Sequence, residues 1–130
     1  MTEIAPLLVL VIDDDAAIRL SLSILLRAKG YRTIVADCGA AGFEQFVENR
    51  PHIVISDMVM PGHEGIATIR KIRDMDAEVI IIAMSGSIEG GPMSFLQKAR
   101  DAGADASLEK PFETAQLLQV IKAASRRSDR

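Results

Sequence analysis

Ile53-Val54-Ile55-Ser56-Asp57-Met58-Val59-Met60-Pro61-Gly62 joins a β-branched apolar run to one carboxylate, with a proline four residues beyond it. The run has the pattern of a buried strand, and Pro61 keeps a helix from starting at once. A strand that carries a single Asp to its C-terminal tip, with a loop beyond, has the form of a site. An Asp that merely caps the turn after a buried strand is the commoner case. Three other strand ends in this chain, however, finish in polar groups of complementary type: Asp13-Asp14-Asp15, Ser85 and Lys110.

Outward from that stretch the chain alternates. Leu7-Leu8-Val9-Leu10-Val11-Ile12 is continuously apolar and ends at the three aspartates. Ile18, Leu22, Leu25 and Leu26 then recur at helical spacing, with Asp15 placed as the N-cap and Gly30 as the stop. Residues 31–36 alternate polar with apolar, as in an edge strand. A helix follows over about 40–49, with Phe43, Phe46 and Val47 expected on its inward face. After Asp57 comes a helix over about 65–75 with Ile66, Ile69 and Ile72 inward. Val79–Met84 is a second fully apolar strand, delivering Ser85 to its tip. The stretch Ser85–Pro92 has loop composition, and Pro92 suits the first turn of a helix over about 93–102 that Gly103 ends. A short strand, Ala106–Glu109, runs into Lys110-Pro111. The last helix carries Leu117, Val120, Ile121 and Ala124 at i, i+3, i+4 and i+7.

Five βα units imply a parallel sheet covered on both faces, with right-handed crossovers. The three most apolar strands, first, third and fourth, belong at the centre and the wetter second and fifth at the edges. The order 2-1-3-4-5 follows, a flavodoxin-like doubly wound α/β fold. The 130 residues fit one domain with a core of about 6–125 and no output domain. With 48% hydrophobic but only 4% aromatic residues, that core is aliphatic. A net charge of -3 offers no basic field for nucleic acid. One cysteine, Cys38, rules out an internal disulfide. No stretch approaches the roughly 20 apolar residues of a membrane span. The expectation is a soluble, cytoplasmic domain.

In a doubly wound sheet the ligand crevice lies beyond the strand C-termini, where the winding reverses. Here that is between the first and third strands, so Asp13, Asp14 and Asp57 meet there, with Ser85 and Lys110 from the neighbouring strand ends. Three carboxylates repel one another unless a cation compensates. Oxygen ligands without clustered His or Cys favour Mg²⁺, which also binds phosphate oxygens. An ammonium, a hydroxyl and Mg²⁺ around one carboxylate suit phosphoryl transfer, whose charge spreads over the equatorial oxygens. Asp57 is then the nucleophile, taking the phosphoryl as an acyl phosphate.

These residues resemble the receiver domain of two-component response regulators over essentially the whole chain. The matching motifs are Val11–Asp15, Asp57–Gly62 with Gly65, Met84-Ser85-Gly86, Gly103-Ala104-Asp105 and Lys110-Pro111-Phe112. The resemblance implies that Asp57 is the phosphoacceptor and that Asp14 and Asp57 ligate Mg²⁺ directly. Asp13 would act mainly through metal-bound water, with the backbone carbonyl of Val59 as a further ligand. Ser85 and Lys110 would contact the phosphoryl group. The donor would be a phosphohistidine on a sensor histidine kinase or a phosphotransfer protein. The family's usual surface for a downstream protein is the face of the fourth helix, fifth strand and fifth helix. The protein would be a signalling phosphoacceptor rather than an enzyme on an external substrate.

One family feature is absent: the aromatic residue three positions before the lysine is Ser107. The signal is therefore expected to pass through the loop at 85–92 and the helix after it. Two other readings compete. A haloacid-dehalogenase-like phosphatase would use Asp13-Asp14-Asp15 as its nucleophile motif, but the chain offers no late acidic pair. A pseudo-receiver acting only as an interaction domain is disfavoured by the complete set of aspartates, hydroxyl and lysine, while the missing aromatic leaves it open. His52 and His63 lack metal spacing and are expected to be solvated.

Overall fold

The computed structural model describes residues 7–58, 64–86 and 92–128. Ten elements alternate along the chain: β1 (Leu8–Ile12), α1 (Ala16–Ala28), β2 (Arg32–Ala36), α2 (Gly39–Asn49), β3 (Ile53–Asp57), α3 (Glu64–Met75), β4 (Ile80–Ser85), α4 (Pro92–Ala102), β5 (Ala106–Glu109) and α5 (Thr114–Ser128). The strands form one parallel sheet in the order β2-β1-β3-β4-β5. Strand order and element types are those expected from composition.

The unbroken apolar runs have a direct cause. Successive side chains of a strand point to opposite faces, and here both faces are covered. Leu10 and Ile12 of β1, Val54 of β3 and Ile81 of β4 pack with Phe46, Ile69 and Ile72 on one face. Val9, Val11, Ile53, Ile55, Ile80 and Ile82 turn the other way, against Leu22 and Leu26 of α1 and Leu117 and Ile121 of α5. Each such side chain contributes about 1.5–3 kcal/mol by leaving water. Polar residues of the strands lie mainly at the edges and at or beside the strand tips.

The local punctuation follows the residues that carry it. Asp15 caps α1, its Oδ1 accepting the Ala17 N–H at 2.9 Å. Past its last turn, Gly30 takes φ 95°, which an L side chain rarely adopts. Cys38 is the N-cap of α2, its Sγ accepting the Ala41 N–H at 3.5 Å.

Two readings need correction. Val47 does not join Phe46 inside; it is 42% exposed, because the inward stripe of α2 runs instead through Gly39, Gly42 and Phe46. His52 is exposed but not merely solvated: its Nδ1 accepts the Leu8 N–H at 3.0 Å, closing the start of β1. Met58 packs in the core at 3% exposure.

α3 ends in a staple that no sequence pattern announced. The Arg73 guanidinium donates to the carbonyls of Ala77 at 2.9 Å, Val79 at 2.7 Å and Gly103 at 2.9 Å. It also pairs with Asp105 Oδ2 at 2.8 Å. The same carboxylate oxygen accepts the Ile81 N–H at 2.8 Å, so the α3–β4 connection and the α4–β5 turn share one clamp. Gly103 sits at φ 120°, and a Cβ there would meet Arg73 Cγ at 2.8 Å.

Candidate functional site

The register places the polar tips together. Ile12 pairs with Ser56, so Asp13 and Asp14 emerge beside Asp57. Asp57 pairs with Met84, which puts Ser85 one residue beyond, and Ser85 pairs with Glu109, which puts Lys110 next. A backbone bond from Lys110 N–H to the Ser85 carbonyl, 2.6 Å long, ties these two strand ends together. The Lys110-Pro111 peptide is cis.

Asp13 is fully buried and Asp57 is 4% exposed, while Asp14 is open to solvent. One carboxylate oxygen from each of the three lies within 4.8 Å of the others. Lys110 reaches into this cluster: its Nζ is 2.8 Å from Asp13 Oδ2 and 3.4 Å from Asp57 Oδ2. The second oxygen of Asp13 accepts the Asp15 N–H at 2.9 Å, and its carbonyl accepts from Arg19 Nη1 at 2.8 Å. Asp13 is therefore held from several directions. Ser85 is buried at 4% exposure.

Burial alone would lower the Lys110 pKa, but the Asp13 hydrogen bond and the charges on Asp57 and Asp13 outweigh it, leaving it above the ordinary 10.5. The sign is that of a cation gaining partners. Its stabilising share is complete below the ordinary value and is lost only as the pH rises past the raised one. At neutral pH the ammonium is a fixed charge.

The donor set of three carboxylates, without His or Cys, fits a hard divalent cation such as Mg²⁺ and not zinc. All five side chains singled out from the sequence (Asp13, Asp14, Asp57, Ser85 and Lys110) come together here. The Val59 carbonyl and the loop reading at 87–91 lie outside the described residues.

The motif residue Gly65 has a steric cause. A Cβ at residue 65 would meet the Asp57 carbonyl oxygen at 2.6 Å and Met58 Cα at 2.8 Å. These are backbone atoms that cannot step aside. Gly65→Val is expected to destabilise the fold by about 1–3 kcal/mol through overpacking, seen as a lower urea midpoint. An unchanged midpoint would refute this close approach.

A cleft of about 610 Å³ opens at Lys110. It runs between Ile18, Leu22 and Leu25 of α1 and Pro111 and Phe112 after β5. Ser107 is half-buried on β5, beside a separate cleft of about 320 Å³ formed with Gln116 and Val120 of α5.

Comparison with known proteins gives a consistent picture. The family model for the response regulator receiver domain matches residues 9–122. The response regulator MprA of Mycobacterium sp. (strain KMS) is 33% identical over 123 residues, covering 95% of this chain and 52% of that protein. Sporulation initiation phosphotransferase F of Bacillus subtilis is 27% identical over 114 residues, covering 88% of this chain and 90% of that one. A response regulator receiver domain protein from Clostridium thermocellum superposes with a TM-score of 0.85 at 29% identity, covering 95% of this chain and 97% of that one. Chemotaxis protein CheY4 of Vibrio cholerae does so at 0.83 and 27%, covering 92% and 99%. The chain spans about half the length of the curated response regulators that it matches, such as MprA at 52%.

Proposed function

The chain belongs to the response regulator receiver domain family, and we propose that Asp57 is its phosphoacceptor, with residues 1–130 acting as a single receiver domain. Receivers of this family are signalling phosphoacceptors of two-component systems. The observation that carries the assignment to Asp57 is the convergence of Lys110, Asp13 and Asp14 on its carboxylate, beside the Ser85 tip.

The donor is a phosphohistidine on a sensor histidine kinase or phosphotransfer protein, reaching the site along the cleft that opens at Lys110. An Asp57 carboxylate oxygen attacks phosphorus, the phosphorus–imidazole bond breaks, and the imidazole leaves to take up a proton. Asp14, Asp57 and the Val59 carbonyl would hold Mg²⁺, with Asp13 acting mainly through bound water. When bound, the cation neutralises charge on the transferring phosphoryl oxygens. Lys110 pairs with the phosphoryl oxygen after transfer, and the Ser85 hydroxyl donates to another. The product is a mixed anhydride on Asp57, and partner binding changes with it.

With Ser107 where the family carries an aromatic ring, we assign the readout to the segment after Ser85 and to α4, and the downstream protein contact to the α4–β5–α5 face. The protein works in the cytoplasm as a phosphoacceptor, not on an external substrate. Among the described residues no helix is long and apolar enough to cross a membrane. The phosphatase reading is not favoured. Its nucleophile motif would start at Asp13, whose two carboxylate oxygens are engaged by Lys110 and by the Asp15 N–H.

Incubation with Mg²⁺ and a small acyl-phosphate donor tests the proposal. Intact mass should show a single hydroxylamine-labile phosphoryl adduct that fails to form when the cation is chelated. Multiple turnover of a phosphomonoester, or no adduct at any Mg²⁺ concentration, would overturn it.

A further inference from the structure

The carboxylates of the cluster are held very differently. Asp13 is bonded through its N–H to the Ala36 carbonyl, through Oδ1 to the Asp15 N–H and through Oδ2 to Lys110. Asp14 is exposed, and among the described residues neither its N–H nor its carboxylate has a hydrogen-bond partner. Carboxylates that ligate a cation usually have outer hydrogen bonds that orient them. For Asp14 the direction has to come from the backbone that carries it.

That backbone is gripped by Arg19 of α1. Its half-buried guanidinium reaches back six residues, and Nη1 donates to the Asp13 carbonyl at 2.8 Å. A peptide unit is planar, so the Asp13 carbonyl and the N and Cα of Asp14 share one rigid plane. The Asp13 N–H is bonded to Ala36 at 3.1 Å and its carbonyl to Arg19, which together fix the Cα of Asp14. Only the side-chain torsions remain free. The partner chosen by Arg19 is informative. Asp15, four residues earlier, would be the ordinary ion-pair partner along a helix. Yet Arg19 takes part in no ion pair among the described residues. Its side chain is committed to the carbonyl.

We propose that Arg19 is a positioning residue for the cation site, aiming Asp14 by anchoring the Asp13–Asp14 peptide. This rests on Asp14 being a ligand of the cation, as proposed for the site. Two effects of Arg19 have opposite signs. Its positive charge repels a divalent ion, so electrostatics alone would let a neutral replacement bind Mg²⁺ more tightly. Loss of the anchor instead lets Asp14 swing away and weakens binding. The anchor is the larger effect. The guanidinium is only half-buried, so solvent and salt screen its charge, whereas outer support of a ligand is commonly worth about 10–100-fold in metal affinity.

Mg²⁺ alone, titrated into the full chain and followed by amide chemical shifts, tests this without a phosphodonor. Arg19→Met should raise the Mg²⁺ dissociation constant by about tenfold. Arg19→Lys keeps a donor for the one carbonyl and should recover most of the affinity. The loss should vanish in an Asp14→Asn background, because two changes that act through one ligand do not add. In uptake from an acyl-phosphate donor, Arg19→Met should raise the Mg²⁺ concentration at half-maximal rate by a similar factor. The rate at saturating Mg²⁺ should stay near that of the parent. An Arg19→Met chain that binds Mg²⁺ as tightly as the parent, or more tightly, would overturn the proposal. So would an unfolded Arg19→Met chain, or an equal loss in the Asp14→Asn background, since Arg19 would then support the fold and not Asp14. Asp14→Asn that leaves Mg²⁺ binding intact would instead strike Asp14 from the ligands, and the proposal with it.

Discussion

Asp57→Asn is expected to give a folded protein whose phosphoryl uptake from an acyl-phosphate donor is slower by at least about 10³-fold, in line with loss of a nucleophile. The replacement is nearly isosteric, so the buried pocket should keep its shape, but the neutral amide no longer supplies the attacking oxygen. The loss cannot be taken over by Asp13, whose oxygens are occupied by Lys110 and the Asp15 N–H. Nor is Asp14 placed for it, being open to solvent beside the cluster. Stability offers a second readout. Three carboxylates converge here with one ammonium among them, so without divalent cation the variant should melt no lower than the parent. Intact mass and a thermal scan in chelator check the two halves. A normal adduct on the variant would move the phosphoacceptor elsewhere.

Arg73→Met is expected to lower stability by about 3 kcal/mol, given the charge-assisted bonds lost, or about 10 °C in the melting temperature of a domain this size. The methionine keeps the aliphatic stem beside Gly103, so the change reports the guanidinium alone. Removing it strips donors from the carbonyls of Ala77, Val79 and Gly103 and takes the cation from Asp105. Arg73→Lys should recover little, since an ammonium cannot span these acceptors as a planar fork does. Thermal and urea unfolding of the two variants decide the matter. A lysine variant as stable as the parent would reduce Arg73 to a simple charge.

The contrast between these residues explains what could be read before the fold was known. Asp57 and Ser85 end apolar runs and Lys110 follows a short edge strand, and strand order alone carries such tips to one end of the sheet. Asp13 and Asp14 follow the same rule. Arg73 gave no such signal, because its partners are mostly backbone carbonyls in turns, and a carbonyl looks the same in every residue. Gly65 was visible as a motif letter, yet its cause is the approach of α3 to the backbone at Asp57 and Met58, a distance with no sequence counterpart. Val47 failed for a different reason, an apolar residue assigned inward when small glycines occupy that side.

α3 is fastened at both ends. Near its start Gly65 lies against the backbone of Asp57 and Met58, and near its finish Arg73 is bonded into the turn before β5. A helix of 12 residues is about 18 Å long and resists bending, so α3 works as a strut with two welded joints. Force arriving at Asp57 along this line meets an immovable member. Movement must go to parts without such anchorage, and α3 serves as the frame against which they are displaced.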